Sequence, residues 1–148
     1  MFFTLLNLLW LYAEKAFGWH NEKVAYYSLY SLLLSLPLIA VIYLCIREKN
    51  EKVYENKIDW RKAFISGAIC SGIVAGFSPV PVFVLSEFVT PEFFDNAITY
   101  SVSKGTNQAS AESLYNVGSF TRQAMFGNLA TGVFWSAIIA LFFKKKTK

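Results

Sequence analysis

An all-α integral membrane protein, built as a four-helix bundle, is predicted by the composition of the chain and by the spacing of its charges. Hydrophobic residues make up 55% of the 148 residues and charged residues 16%, well below the quarter or so that is usual in soluble domains. Residues 24–46, 63–86 and 124–143 contain no charge, and each run is about as long as the roughly 20 residues that cross a bilayer. We therefore predict a single transmembrane domain over residues 1–148.

The first predicted helix covers about residues 1–17 and is the shortest. Glu14 and Lys15 interrupt it, and we expect both side chains to reach the headgroups. A cleaved signal peptide is not indicated, because no basic residue precedes Lys15 and no small-residue cleavage pattern follows. His20, the only histidine, follows in an outer loop, where we expect a solvated or interfacial imidazole.

Prolines stand in two of the other three spans, which are predicted at about residues 24–46, 63–89 and 118–143. Pro37 in the second helix, and Pro79 and Pro81 in the third, are predicted to kink helices that face other helices, since proline removes a backbone donor. We expect the Ser78 hydroxyl to satisfy the freed carbonyl groups. A broken helix around a transported solute is the alternative, but no charge stands beside the prolines, and the structural kink is favoured.

Small residues recur at every fourth position in the third and fourth helices, a spacing that lets helices approach closely in lipid. The third helix has two such rows, of which the second contains Gly67, Ser71 and Ala75. We predict that the third and fourth helices pack against each other. The residues assigned to this contact are Ala68, Gly72, Gly76, Asn128, Gly132 and Ser136.

The connection at about residues 91–117 is predicted to form two short amphipathic helices in the outer loop between helices 3 and 4, lying against the membrane or the bundle. Thr90 is a suitable N-cap for the first of them and Gly105 a suitable stop. Ser110 is predicted to cap the second. The plainest interpretation of this connection is a lid or spacer without chemistry.

The orientation follows from the distribution of lysine and arginine, which are enriched on the cytoplasmic side of membranes. With the N-terminus inside, residues 47–62 and 144–148 place ten of the 14 basic residues in the cytoplasm. Both termini are therefore predicted to be cytoplasmic. The basic tail is interpreted as a contact with anionic lipid rather than with nucleic acid.

The order of several segments then points to a family. "WRKAFISG" leads into a helix rich in small residues, followed by "SPVPVFVLSEFVTPEFFDNAITYSVSKG", "AESLYNV" and "FTRQAMFG". This order resembles the domain of unknown function 4199 family of small bacterial multi-pass membrane proteins. The resemblance covers nearly the whole chain and implies the architecture and a location in a bacterial inner membrane, but no activity. Family members usually carry several residues before the first helix, whereas this chain begins within that helix. We therefore expect that the start of the sequence is assigned too late or that the N-terminus has been trimmed.

Catalytic, cofactor and metal sites are not predicted, because one histidine and two cysteines leave little for nucleophilic or metal chemistry. Cys45 and Cys70 are expected to be two buried thiols. Asn7 and Asn128, the deepest polar residues of the spans, are expected to form hydrogen bonds between helices.

Glu87 lies near the C-terminal end of the third predicted helix, and Arg122 lies near the N-terminal end of the fourth. The two can meet as an ion pair if these helices are antiparallel neighbours, or each can face water. An unpaired Glu87 beside the prolines would be a candidate proton or cation site.

Three functional classes remain open. A structural or assembly subunit without catalytic activity, with lipid and a homo-oligomeric or membrane-protein partner, is predicted first. A small oligomeric carrier or channel, using the kinked third helix and Glu87, is the alternative, and an intramembrane enzyme fits least. A hydrated polar cavity inside the bundle would favour transport over a structural role.

Overall fold

The structure is a computed structural model that describes residues 2–20, 23, 25, 27 and 32–143. Across these residues the secondary structure is helical, with no β-strand, so the all-α prediction is confirmed for the described part of the chain. The six helices found there are α1 (Phe2–Ala16), α2 (Ser35–Val53), α3 (Trp60–Val89), α4 (Phe93–Ser103), α5 (Gln108–Leu114) and α6 (Val117–Phe143).

Helix α2 differs from its prediction at the C-terminal end and at Pro37. The predicted start at residue 24 lies outside the described residues, which resume with a 3₁₀ turn at Leu32–Leu34. The helix continues to Val53 instead of ending at residue 46, since ion pairs Arg47–Glu51 and Lys52–Glu48, spaced four residues apart, stabilise the extension. Pro37 lies in the first turn, where backbone N–H groups have no helical acceptor, so it starts a helix rather than kinking one.

Helix α3 begins three residues before its predicted start because Asp59 caps it. The Asp59 carboxylate accepts a hydrogen bond of 2.9 Å from the backbone N–H of Lys62, and this bond holds the pKa of Asp59 below its ordinary value. The regular part of α3 ends at Phe77 and resumes at Pro79–Val84, followed by a π-helical turn at Leu85–Val89.

The outer connection contains two short helices, as expected, but their caps differ from the prediction. Thr90 does not cap α4 with its side chain, because its hydroxyl is directed to His20. Gly105 follows the end of α4 with φ of +93°, a conformation that glycine adopts without strain. Asn107 rather than Ser110 caps α5, and its side chain accepts from the backbone N–H groups of Ala109 and Ser110.

Helices α3 and α6 make the most extensive contact in the described structure. Their backbones approach so closely that a Cβ atom built on Gly132 would lie 2.6 Å from Cβ of Ser71, and one built on Gly67 2.7 Å from Cβ of Ser136. Helix α2 covers one side of this contact with Ile42 and Ile46, both fully buried. The predicted packing of the third and fourth spans is therefore present.

The row of α3 that makes this contact is shifted by one residue from the assigned row. Gly72 and Gly76 are exposed, and a Cβ at either glycine would meet open space. Ala68 is half-buried. Consecutive residues of an α-helix point about 100° apart, so the two rows face different directions, and the contact belongs to Gly67, Ser71 and Ala75.

Two helices of the described chain, α3 and α6, are long and apolar enough to cross a membrane. Their most apolar windows are only 39% and 22% buried, whereas an apolar helix in a soluble protein is usually buried in its core. Small residues fill the contact between the two helices, and large apolar side chains lie outside it. The exposed set includes Ile65, Ile69, Ile73, Phe83, Phe126 and Phe134. This arrangement gives weak support for membrane association.

Candidate functional site

A cavity of about 420 Å³ lies between α1, α2, the broken part of α3 and the first half of α6; we call it the interior cavity. Apolar side chains such as Leu11, Leu38 and Leu85 form much of its wall. Polar side chains from all four helices also line it. They are Asn7, Glu14, Ser35, Ser78, Gln123, Asn128 and Thr131. A mainly apolar pocket with a few convergent polar groups is the usual form of a small-molecule site.

The broken part of α3 forms one wall of the interior cavity through Ser78 and Pro81. Pro79 has no N–H group to donate to the carbonyl of Ala75, and the backbone N–H of Ser78 takes its place at 3.1 Å. Since the Ser78 N–H no longer reaches Val74, the Ser78 hydroxyl donates to the Val74 carbonyl at 3.2 Å. Ser78 therefore supplies both replacement bonds, and its hydroxyl oxygen stays available as an acceptor.

Asn128 of α6 completes this polar wall. Its Nδ2 atom donates a hydrogen bond of 2.8 Å to Oγ of Ser78, which joins α6 to the break in α3. The hydrogen bond between helices that we predicted for Asn128 is thus present. Asn7, predicted to play the same role, lies on the opposite side of the interior cavity on α1.

Glu14 and His20 form a buried polar cluster next to the interior cavity, and both residues are 0% exposed. Oε2 of Glu14 lies 3.3 Å from Nε2 of His20, and Oε1 accepts a bond of 2.6 Å from the Trp10 indole. Nδ1 of His20 lies 2.9 Å from the hydroxyl of Thr90. The expectations that the Glu14 side chain would extend to the headgroups and that His20 would be solvated are therefore wrong, and an interfacial position of His20 stays a prediction.

The irregular end of α3 provides the partners for this cluster. In the π-helical turn the N–H of Thr90 bonds to the carbonyl of Leu85 at 2.9 Å, five residues back. This pattern leaves the carbonyl of Val89 to accept from the ammonium group of Lys15. The Asn96 amide of α4 donates to the His20 carbonyl at 3.2 Å. The first helix, the third helix and the outer connection are thus joined at one point.

Aromatic rings close the side of the cluster that faces α4 and α6. Phe93 is fully buried, and its ring centroid lies 5.3 Å from that of His20, edge to face. The rings of Tyr27 and Phe120 contact the Phe93 ring at tilted and edge-to-face angles, and both also line the interior cavity. The His20 ring is therefore separated from bulk solvent by aromatic side chains, which strengthens its hydrogen bonds.

The remaining predicted residues do not come together as a site. Glu87 is exposed on the π-helical turn, and Arg122 donates to the Ser119 hydroxyl at 3.1 Å, so the two do not form an ion pair. Glu87 also lies outside the lining of the interior cavity. The carboxylate beside the cavity is Glu14, from the first helix. In the described residues no cluster of three or more metal-binding side chains is found.

One sequence family matches this chain. Its description is "Protein of unknown function (DUF4199)", and the match covers residues 1–145. The chain belongs to this family. No curated protein and no solved structure matches the chain. The resemblance seen in the sequence is confirmed, and both the interior cavity and the Glu14–His20 cluster lie within the matched region.

Sequence reasoning missed the Glu14–His20 cluster, although one signal was available. Trp10 and Glu14 stand four residues apart, and residues at this spacing are neighbours on one face of a helix. An ionisable residue in an apolar segment is by default a functional candidate. The position of Thr90 could not be inferred, because it lies 70 residues from His20 in the chain.

Proposed function

We propose that this protein is an integral membrane protein without catalytic activity, whose four-helix bundle holds a small polar solute in the interior cavity and carries it across the membrane. The observation that carries this proposal is the cavity itself, which places seven polar side chains between helices at the break in α3. Discontinuous helices with polar groups at mid-membrane are how many transporters build their binding sites. The carrier alternative is thus favoured over a purely structural subunit, with Glu14 in place of Glu87.

A membrane location is supported by the distribution of side chains around α3 and α6. Helices in lipid gain nothing from burying leucine or phenylalanine against each other, so their contacts use small residues and hydrogen bonds. The contact of Gly67 with Ser136, and of Gly132 with Ser71, follows that rule. Large apolar side chains surround it on the outside.

The other two spans of the proposed bundle are shorter. Helix α1 has 15 residues, which corresponds to roughly 22 Å at about 1.5 Å per residue. The uncharged part of α2 ends at residue 46 and is similar in length within the described chain. Local thinning of the bilayer accommodates such lengths. The distribution of lysine and arginine favours cytoplasmic termini in a bacterial inner membrane.

A flux assay with paired variants tests the carrier proposal. Ala124 lines the interior cavity, whereas Ala130 is exposed on the same helix. Ala124→Phe fills part of the cavity, and Ala130→Phe adds the same volume on the outer surface. In proteoliposomes, with K⁺ and glycerol as charged and neutral probes, we expect the wild type and Ala130→Phe to pass one of them faster than empty liposomes. Ala124→Phe should reduce that flux. No flux above empty liposomes would contradict a transport role, and equal flux above them in all three proteins would contradict a path through the interior cavity.

A second candidate, a subunit of a larger membrane assembly, is favoured by the row of α3 that the fold leaves uncovered. Ala68, Gly72 and Gly76 have the spacing that lets helices approach, and the two glycines face open space. A second copy of this chain is the partner that we propose for this row. Gly72→Cys in a cysteine-free protein should crosslink to a dimer in native membranes, whereas Gly132→Cys should not. If Gly72→Cys forms no crosslinked dimer, the proposed role as a subunit of a larger assembly is refuted.

A further inference from the structure

Two thiols face each other across the contact between α2 and α3. The Sγ atoms of Cys45 and Cys70 lie 2.8 Å apart, and both thiols are free. A disulfide has an S–S distance of about 2.05 Å, so the two sulfurs need to approach by less than about 1 Å to be joined. The sequence predicted two buried thiols, whereas the structure shows both half-buried and in contact with each other.

Both sulfurs can be reached from outside the helix contact. Cys45 and Cys70 are half-buried and line a groove of about 570 Å³ that runs between α1, α2 and α3. Apolar side chains such as Phe3 form most of this groove. Lys49 and Lys52 line it at the end that lies one to two turns beyond Cys45 along α2. Glu48 also lines this end and pairs with Lys52, so Lys49 gives the approach to the thiol pair its net positive charge.

We propose that Cys45 and Cys70 are a reversible dithiol–disulfide couple, which exchanges with small anionic disulfides of the glutathione class. The proposal goes beyond the cavity and does not depend on what the cavity binds. A disulfide that forms in a reducing compartment is usually transient and redox-sensing. Under the orientation proposed above, both cysteines lie toward the cytoplasmic side.

The exchange balances in two steps. The thiolate of one cysteine attacks a sulfur of the small disulfide, forms a mixed disulfide and releases one small thiol. The second cysteine attacks the protein sulfur of that bond, so that the Cys45–Cys70 disulfide forms and the second small thiol leaves. Two protein thiols are oxidised and one small disulfide is reduced to two thiols, which take up the two protons.

The bond would have a structural consequence for the bundle. It would join α2 to α3 and close the segment between residues 45 and 70, which restricts the unfolded chain. Both helices also line the interior cavity, through Leu38 of α2 and Ser78 of α3. The oxidised form should therefore be the more thermostable form, with these two cavity walls held together.

The test uses the full chain in lipid nanodiscs, equilibrated with buffers from fully reduced to fully oxidised glutathione. After acid quenching, free thiols are counted by maleimide labelling and intact mass. We expect both free thiols to be lost in the same buffers and the intact mass to fall by the mass of two hydrogen atoms. The melting temperature should rise. Cys45→Ser keeps the second thiol and should show no rise. Separate addition of glutathione to each thiol, or two free thiols in fully oxidised buffer, would overturn the proposal.

A charge variant tests the class of oxidant. Lys49→Glu should slow oxidation by glutathione disulfide several-fold, because the carboxylates of glutathione then meet a negative charge. Oxidation by the uncharged disulfide of 2-mercaptoethanol should proceed at the wild-type rate. If Lys49→Glu slows neither reagent, or both equally, the preference for anionic disulfides is refuted.

Discussion

Two glycine-to-alanine variants distinguish the uncovered row of small residues on α3 from the contact between α3 and α6. Gly72→Ala places a methyl group in open space, whereas Gly132→Ala places it 2.6 Å from Cβ of Ser71. Alanine favours a helix over glycine by about 1 kcal/mol at either position, so this gain cancels between the two variants. The difference between them then measures the overpacking at Gly132 alone.

The magnitude of that overpacking follows from the nature of the contact. Cβ of Ser71 is fixed by the backbone of α3 and cannot rotate away, so the added methyl group must push the two helices apart. Overpacking of this kind typically costs about 1–3 kcal/mol. At roughly 2–4 °C per kcal/mol for a chain of this size, Gly132→Ala should melt roughly 2–12 °C below Gly72→Ala.

Thermal unfolding of both variants in detergent measures this difference, with Ser71→Gly as the control. Ser71→Gly removes the atom that the new methyl group meets, so the double variant Ser71→Gly/Gly132→Ala should be more stable than the sum of the single changes predicts. Equal melting temperatures for Gly72→Ala and Gly132→Ala would refute the close approach of the helices at Gly132. If Gly72→Ala is destabilised, the contact instead belongs to the row that was assigned from the sequence.

Three further predictions concern the polar contacts. His20→Ala should lower the free energy of unfolding by about 1–3 kcal/mol in chemical unfolding, because it removes the buried hydrogen bonds of His20 to Glu14 and to Thr90; Glu14→Gln/His20→Ala should be less damaging than the single change. Asn128→Leu should cost about 1 kcal/mol in the same assay, because the hydrogen bond to Ser78 is lost. Asn128→Gln keeps the amide on a longer side chain, so its cost measures how strictly the bond depends on side-chain length. Asp59 has a lowered pKa, so its cap stabilises α3 above the ordinary pKa of aspartate and is lost as the pH falls through the lower folded-state value; a pH titration of thermal stability should show this loss in the wild type but not in Asp59→Ala.

The long helices were predictable because their hydropathy depends on local sequence alone. Helix α3 ends at Val89 as predicted, and α6 begins at Val117, one residue before the predicted start. The break in α3 was also predictable, since proline cannot donate a backbone hydrogen bond whatever surrounds it. The role of Ser78 followed from the same argument.

The parts that were not predictable depend on contacts distant in the chain. Gly67 and Gly72 stand in two rows of small residues with the same four-residue spacing, and only the direction in which α6 approaches decides between them. His20 is buried because Thr90 and Phe93 meet it from the far end of α3 and from α4. Sequence spacing carries no information on either contact.

The accessibility of single cysteines in native membranes tests the central claim, a spanning bundle with a water-filled interior cavity, most directly. In a Cys45→Ser/Cys70→Ser background, Thr131→Cys places a thiol on the cavity wall and Ala130→Cys places one on the outward face of the same helix. Charged methanethiosulfonates react only with thiols in water. We predict that Thr131→Cys reacts and that Ala130→Cys reacts only after detergent extraction. Rapid labelling of Ala130→Cys in intact membranes, or an unreactive Thr131→Cys, would contradict the account.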